Sequence, residues 1–400
     1  MSGFRVADEV HTQPPLRRQQ PRRSWTDGRL AALLGWLWRL AIGGLFCFNY
    51  LASVAVVGWL YRWMQARVLY GWWKQSRFRD QGSFREFCES LIVAGPSPRP
   101  RWFWRERIAA TLAQPGTPGR RLWRKLTIPW HSLWLNFKIG VQGLFCTYLA
   151  TGLGCLIMFM SWEFGWLNSF NKGYEQAFFG PLTGFLGILL IILAMFHVPM
   201  AQAHQAATGE ARSFFHFRFI WALVRARPTA YFGLAVLTTV LSLIFEGLRV
   251  AVLGDDFPAN AAASDEEGFL YLQQYFLGCS LGLFVALLLL RGLTARIYRN
   301  AVLTVLSDGA IGREELHPLL AAGLDRLELM PVPRATSVGL GQVVRVTTRW
   351  SYRRLAYTLI FLTWFAFLSR FYAGYFLVAS GPIGFLNHPL VQIPCFNYMP

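Results

Sequence analysis

At 400 residues, 54% hydrophobic and 16% aromatic, with a mean hydropathy of +0.33, the chain is too apolar for a soluble globular protein. Its 39 Lys and Arg exceed 21 Asp and Glu, for a net charge of +18. No zinc-finger, RNA-recognition or basic-zipper pattern accompanies that charge, which excludes a nucleic-acid partner; it lies beside apolar runs, where lipid headgroups are.

Residues 1–29 are polar, basic and proline-containing, and read as a disordered tail. Six apolar stretches follow, near 30–61, 139–161, 182–200, 230–253, 270–290 and 355–379. About 20 apolar residues cover the ~30 Å hydrocarbon core as a helix, and a helix satisfies its own backbone in lipid. The expected fold is therefore all-α: a polytopic helical membrane protein with about six membrane-embedded segments plus basic amphipathic interfacial helices.

The first stretch, 30–61, has arginines on both sides and Arg39 and Asn49 within it. It is too long for one upright span and too short for two, which need about 40 residues. Either it forms a re-entrant hairpin kinked near Gly43-Gly44, or it is one tilted span with the N-terminus on the far side. Its segment Trp38–Cys47 aligns with Phe137–Cys146 around an identical Gly-Leu-Phe-Cys, which reads as an old duplication or as chance in apolar helices.

The 62–138 segment is a basic linker of net charge +11, broken near Ala94–Pro100 and Gln114–Gly119. Trp72, Trp73, Trp102, Phe103 and Trp104, set among Arg and Lys, predict interfacial helices with rings at headgroup level.

A four-span core is expected over 139–291. Its third span leaves through Pro199, turns at Gly209, and enters a helix carrying Arg212, Arg218, Trp221, Arg225 and Arg227. Such a basic, aromatic helix lies in the interface and binds anionic lipid. This layout resembles an uncharacterised family of prokaryotic multi-pass membrane proteins over about residues 180–245. The resemblance implies a membrane location and transfers no catalytic residue.

Charges inside spans cost ~2.5–3.5 kcal/mol each on insertion scales and need compensation. Glu246 and Arg249, at i and i+3, and Arg370 in the last span are the candidates for one intramembrane cluster, either a structural clamp or a gate. His197 and His204 share a helix face only if Pro199 leaves the helix continuous; with His216 they are weighed as a metal or proton site and set aside, so no metal is expected. Cysteine spacing matches no zinc, haem or redox motif, and no cofactor is expected.

Residues 292–354 read as a cytoplasmic helical segment, and 355–400 as the last span and an uncharged extracytoplasmic tail. The connections alternate in net charge: +11 (62–138), −1 (162–181), +3 (201–229), −5 (254–269) and +5 (291–354). Basic connections on the cytoplasmic side imply a multi-pass protein of the cytoplasmic (inner) membrane. No phosphate loop, metal-binding His pair or nucleophile elbow suggests an enzyme. The expected role is a scaffold or accessory subunit that binds anionic lipid or a membrane-protein partner; the alternative is a transporter or lipid-handling permease using the charge cluster.

Overall fold

The structure, a computed structural model, describes residues 25–80, 82–91, 100, 102, 117–163, 179–254, 257–258, 264–331, 340–374 and 386–397. Most of the basic tail, the chain breaks at 94–99 and 114–116, and Phe103 and Trp104 lie outside these. Two compact units are distinguished, residues 1–38 and 39–400. The first contributes the opening turns of helix α1 (Trp25–Phe48).

The described regular structure is helical throughout. After α1 come α2 (Tyr50–Gln75), α3 (Phe84–Ser90), α4 (Pro118–Met160) and α5 (Phe179–Thr208). Then follow α6 (Phe217–Ala226), α7 (Pro228–Val250), α8 (Asp265–Ser307), α9 (Pro318–Arg326) and α10 (Leu340–Gly374). Among the described residues, four segments are long and apolar enough to cross a bilayer: Pro129–Glu163, Leu182–Thr208, Pro228–Val250 and Asp265–Ser307. They match the second to fifth expected stretches, the fourth ending at Val250 rather than 253, and the protein is a polytopic helical membrane protein. The described part of the last stretch, 355–374, lies along α10, which packs on α7 and α5.

The break in the first apolar stretch does not lie near Gly43-Gly44. The helix runs unbroken through Gly43-Gly44 and ends at Phe48; the break is at Asn49. Gly43 and Gly44 serve packing instead, because a Cβ there would lie 2.3 Å from Phe284 and 2.9 Å from the Leu281 backbone. Asn49 is extended at φ −110°, and its side chain accepts from the Ala52 N–H at 3.0 Å, capping α2. That helix then continues to Gln75, well past the apolar stretch, and is mostly buried against α4, α8 and α5.

At the α2–α4 crossing, a Cβ on Gly58 would stand 1.8 Å from the Asn136 carbonyl oxygen, and one on Gly140 1.9 Å from that of Val54. Small residues let two backbones meet where lipid offers no hydrophobic drive. Arg62 enters this helix pair by donating to Asn136 Oδ1 at 2.9 Å.

The aromatics expected at headgroup level are partly core. Trp72 is fully buried and donates its indole N–H to the Arg299 carbonyl at 3.3 Å. Trp102 is also buried, stacks on Trp59 at 4.9 Å, and donates to the Arg39 carbonyl at 3.2 Å. Each indole finds a backbone acceptor and an apolar bed inside the protein, so burial wins over the interface.

Pro199 sits inside α5 rather than at its exit. It has no N–H to give the Met195 carbonyl four residues back, and the Tyr231 hydroxyl donates to that oxygen instead, at 2.5 Å. The helix ends at Thr208, where Gly209 takes φ +77°, a backbone conformation that favours glycine.

Candidate functional site

The interior holds a chain of polar side chains supplied by five segments. Helix α4 presents Thr147 and Thr151, four residues apart and so on one face, with Tyr148 beside them. Helix α5 brings Gln202, α7 brings Ser242, and α8 brings Ser280 and Arg291. The fifth contributor is the C-terminal segment 386–397, whose Asn387, Leu390, Val391, Gln392, Ile393, Cys395 and Phe396 are all buried.

That segment is clasped upon itself. Asn387 Oδ1 accepts from the Ile393 N–H at 2.8 Å, and its amide donates to the Ile393 carbonyl at 3.0 Å. Gln392 Oε1 accepts from the His388 N–H at 2.6 Å, while the Gln392 N–H donates to the His388 carbonyl at 2.8 Å.

The clasp is then tied to the helices. Tyr148 donates to Asn387 at 2.8 Å, Gln392 donates to Thr151 at 2.9 Å, and Ser242 meets His388 Nε2 at 3.0 Å. Gln202 donates to Thr147 at 2.8 Å and to the Val391 carbonyl at 3.3 Å. Ser280 donates to the Phe396 carbonyl at 2.6 Å, and the Phe396 N–H donates to the Cys47 carbonyl at 3.0 Å, at the end of α1. Residues 386–397 of the uncharged tail are thus packed among the helices. Buried polar groups need partners, and here segment and helices supply them to each other.

Sequence reasoning missed Arg291, which stands at the end of the apolar run of α8 and was counted with the following basic segment. It is 9% exposed and donates to Gln202 Oε1. Among the described residues no carboxylate pairs with it. The signal was available: an arginine directly abutting about 20 apolar residues is close enough to the hydrocarbon to be an intramembrane charge.

The expected charge cluster is only partly assembled. Glu246 and Arg249 lie one turn apart on α7 but form no ion pair. The Arg249 guanidinium lies over the Phe396 ring instead, 4.9 Å from its centroid, a cation–π contact with the C-terminal segment. Arg370 is on α10, and its side chain lies outside the described residues.

The second region is α6 with the 3-10 turn Ala211–Phe215 before it. Helix α6 buries Phe219, Ile220, Leu223 and Val224 on α5 and α8, and Trp221 stacks on Phe196 at 6.1 Å. Its apolar face is therefore spent on protein, whereas the sequence assigned it to lipid. Arg212, Arg218, Arg225 and Arg227 are all exposed. Arg218 pairs with Glu315 at 3.5 Å, and Arg227 donates to the Thr304 hydroxyl at 3.2 Å.

Each histidine near this turn has a ring partner, but His197 Nδ1 is buried with none among the described residues. His204 Nδ1 is 2.8 Å from the Tyr298 hydroxyl and its Nε2 is 3.3 Å from Nδ1 of His216, the residue before α6. His197 turns elsewhere, to the Phe214 carbonyl at 2.8 Å. His317 lies 3.2 Å from Glu210. Among the described residues no group of three or more His, Cys, Asp or Glu is arranged to hold a metal.

Comparison of the chain with protein-family models, with curated proteins and with solved structures finds no match.

Proposed function

We propose that the protein is a membrane scaffold or accessory subunit whose basic end engages anionic lipid headgroups or an acidic face of a membrane-protein partner. One observation carries this reading: Arg218 and Arg225 on α6, with Arg212 in the turn before it and Arg227 at its C-cap, are exposed beside an apolar face already anchored on protein, and among the described residues only Arg218 of the four forms an ion pair with a carboxylate. A helix anchored this way holds its charges in place without needing lipid to fold it. Each arginine near an anionic surface contributes about 1 kcal/mol of attraction.

The alternation of net charge between connections supports a cytoplasmic location for this end, in the inner membrane of a prokaryotic cell. The loose resemblance over 180–245 points the same way.

The test is the number of anionic lipids that the purified protein retains in native mass spectrometry. Arg212→Gln, Arg218→Gln, Arg225→Gln and Arg227→Gln together are expected to lower retention of phosphatidylglycerol and leave phosphatidylcholine unchanged. Equal retention of both lipids by wild type and variant overturns the reading.

A transporter or permease is the second reading, favoured by buried Arg291 amid a polar interior. It requires segment 386–397 to leave its seat, because that segment fills the space between the helices.

A further inference from the structure

Beside Arg291 is a gap of about 20 Å³, lined by Arg291, Gln202, Thr238, Thr294 and Trp364 and bordered by Leu390 and Val391 of the C-terminal segment. A space of this size holds one water or one ion of similar radius. Two of its walls carry hydrogen-bond donors that lack acceptors. The Arg291 guanidinium, with five N–H groups, has Gln202 as its one acceptor among the described residues. The Trp364 indole N–H is buried and has no partner among the described residues.

The flanking hydroxyls do not serve these donors. Thr238 and Thr294 each donate to a carbonyl of their own helix, at 2.8 Å to Leu234 and to Leu290. The Gln202 amide is committed to Thr147 and Val391. No hydrogen bond runs from Arg291 or Trp364 to the flanking hydroxyls, and the site holds one positive charge with no carboxylate beside it among the described residues. A buried cation in a membrane bundle is stable only with compensation.

We propose that this gap is a binding site for a single small monovalent anion of halide size, held by Arg291 and Trp364 and bordered by the C-terminal segment. Its small volume selects against larger anions: a lipid phosphate or a carboxylate metabolite exceeds the space. The site does not depend on the reading of the basic end, since it shares no residue with α6.

Thermal unfolding of the full-length protein in chloride and in gluconate, at constant ionic strength, tests it. The expected result is a Tm that rises with chloride, by equal steps for each tenfold increase above the dissociation constant, and stays flat in gluconate. Arg291→Gln removes the chloride dependence, while Arg291→Lys retains it at a higher concentration. An identical response to chloride in wild type and Arg291→Gln overturns the site, as does no response in wild type.

Should Arg291→Gln not fold, crystals of the wild type soaked in bromide give an independent answer. An anomalous peak within hydrogen-bond distance of the Arg291 guanidinium supports the site; a water at that position in saturating bromide overturns it.

Discussion

The C-terminal segment and helix α6 are both mixtures of apolar and polar residues, and they use their polar groups in opposite ways. Segment 386–397 carries no charge, is buried, and gives Asn387, His388 and Gln392 to partners on α4 and α7. Helix α6 and its flanks bury an apolar face and display Arg212, Arg218, Arg225 and Arg227, of which only Arg218 pairs with a carboxylate among the described residues. Polar groups sealed in a low-dielectric interior must be satisfied by the fold, so they report on stability. Exposed charges are satisfied by water and are free for a partner, so they report on function.

Substitutions sharpen that contrast. The largest effect is expected from Phe396→Ala, since the ring is fully buried against Phe245 and Phe276 at 5.5 Å from each and lies under Arg249. Emptying such a site costs about 3–5 kcal/mol, read as a fall in folded fraction during denaturant titration. Gln202→Leu comes next: it strips Arg291 of its acceptor and Thr147 and the Val391 carbonyl of a donor, for about 2 kcal/mol.

Ser280→Ala removes one hydrogen bond to the segment and is expected to cost about 1 kcal/mol in the same titration. Arg225→Gln sits at the other extreme. Its stability should stay within about 0.5 kcal/mol of wild type, while affinity for anionic bilayers falls. A stability loss at Arg225 as large as at Gln202 breaks the distinction between the two regions.

Much of this architecture is written in the sequence, but unevenly. The four spans on α4, α5, α7 and α8 follow from apolar runs alone, because lipid accepts nothing else. The capping asparagine at 49 was visible as a polar interruption, yet glycine drew the expected kink to 43–44. Those glycines face Phe284 and Leu281, partners about 240 residues away in sequence. Trp72 and Trp102 carry a pattern common to headgroup aromatics and core aromatics, and only their distant acceptors decide between the two.

The polar interior was the least legible. Segment 386–397 has neither span length nor helical periodicity, and its partners are spread from Cys47 to Ser280. Of the candidate charges, Arg249 proved to bind the segment through Phe396, a contact that local spacing on α7 cannot reveal. The exposed arginines of α6 were legible because a basic face needs no tertiary partner to be recognised.

Hydrogen–deuterium exchange of the full-length protein, with and without anionic lipid, tests both halves of the account at once. Peptides covering 386–397 are expected to exchange slowly and equally in both conditions, and peptides covering 211–227 to slow when phosphatidylglycerol is added. Exchange of 386–397 at the rate of an unfolded chain, or a 211–227 region that responds no more to phosphatidylglycerol than to phosphatidylcholine, contradicts it.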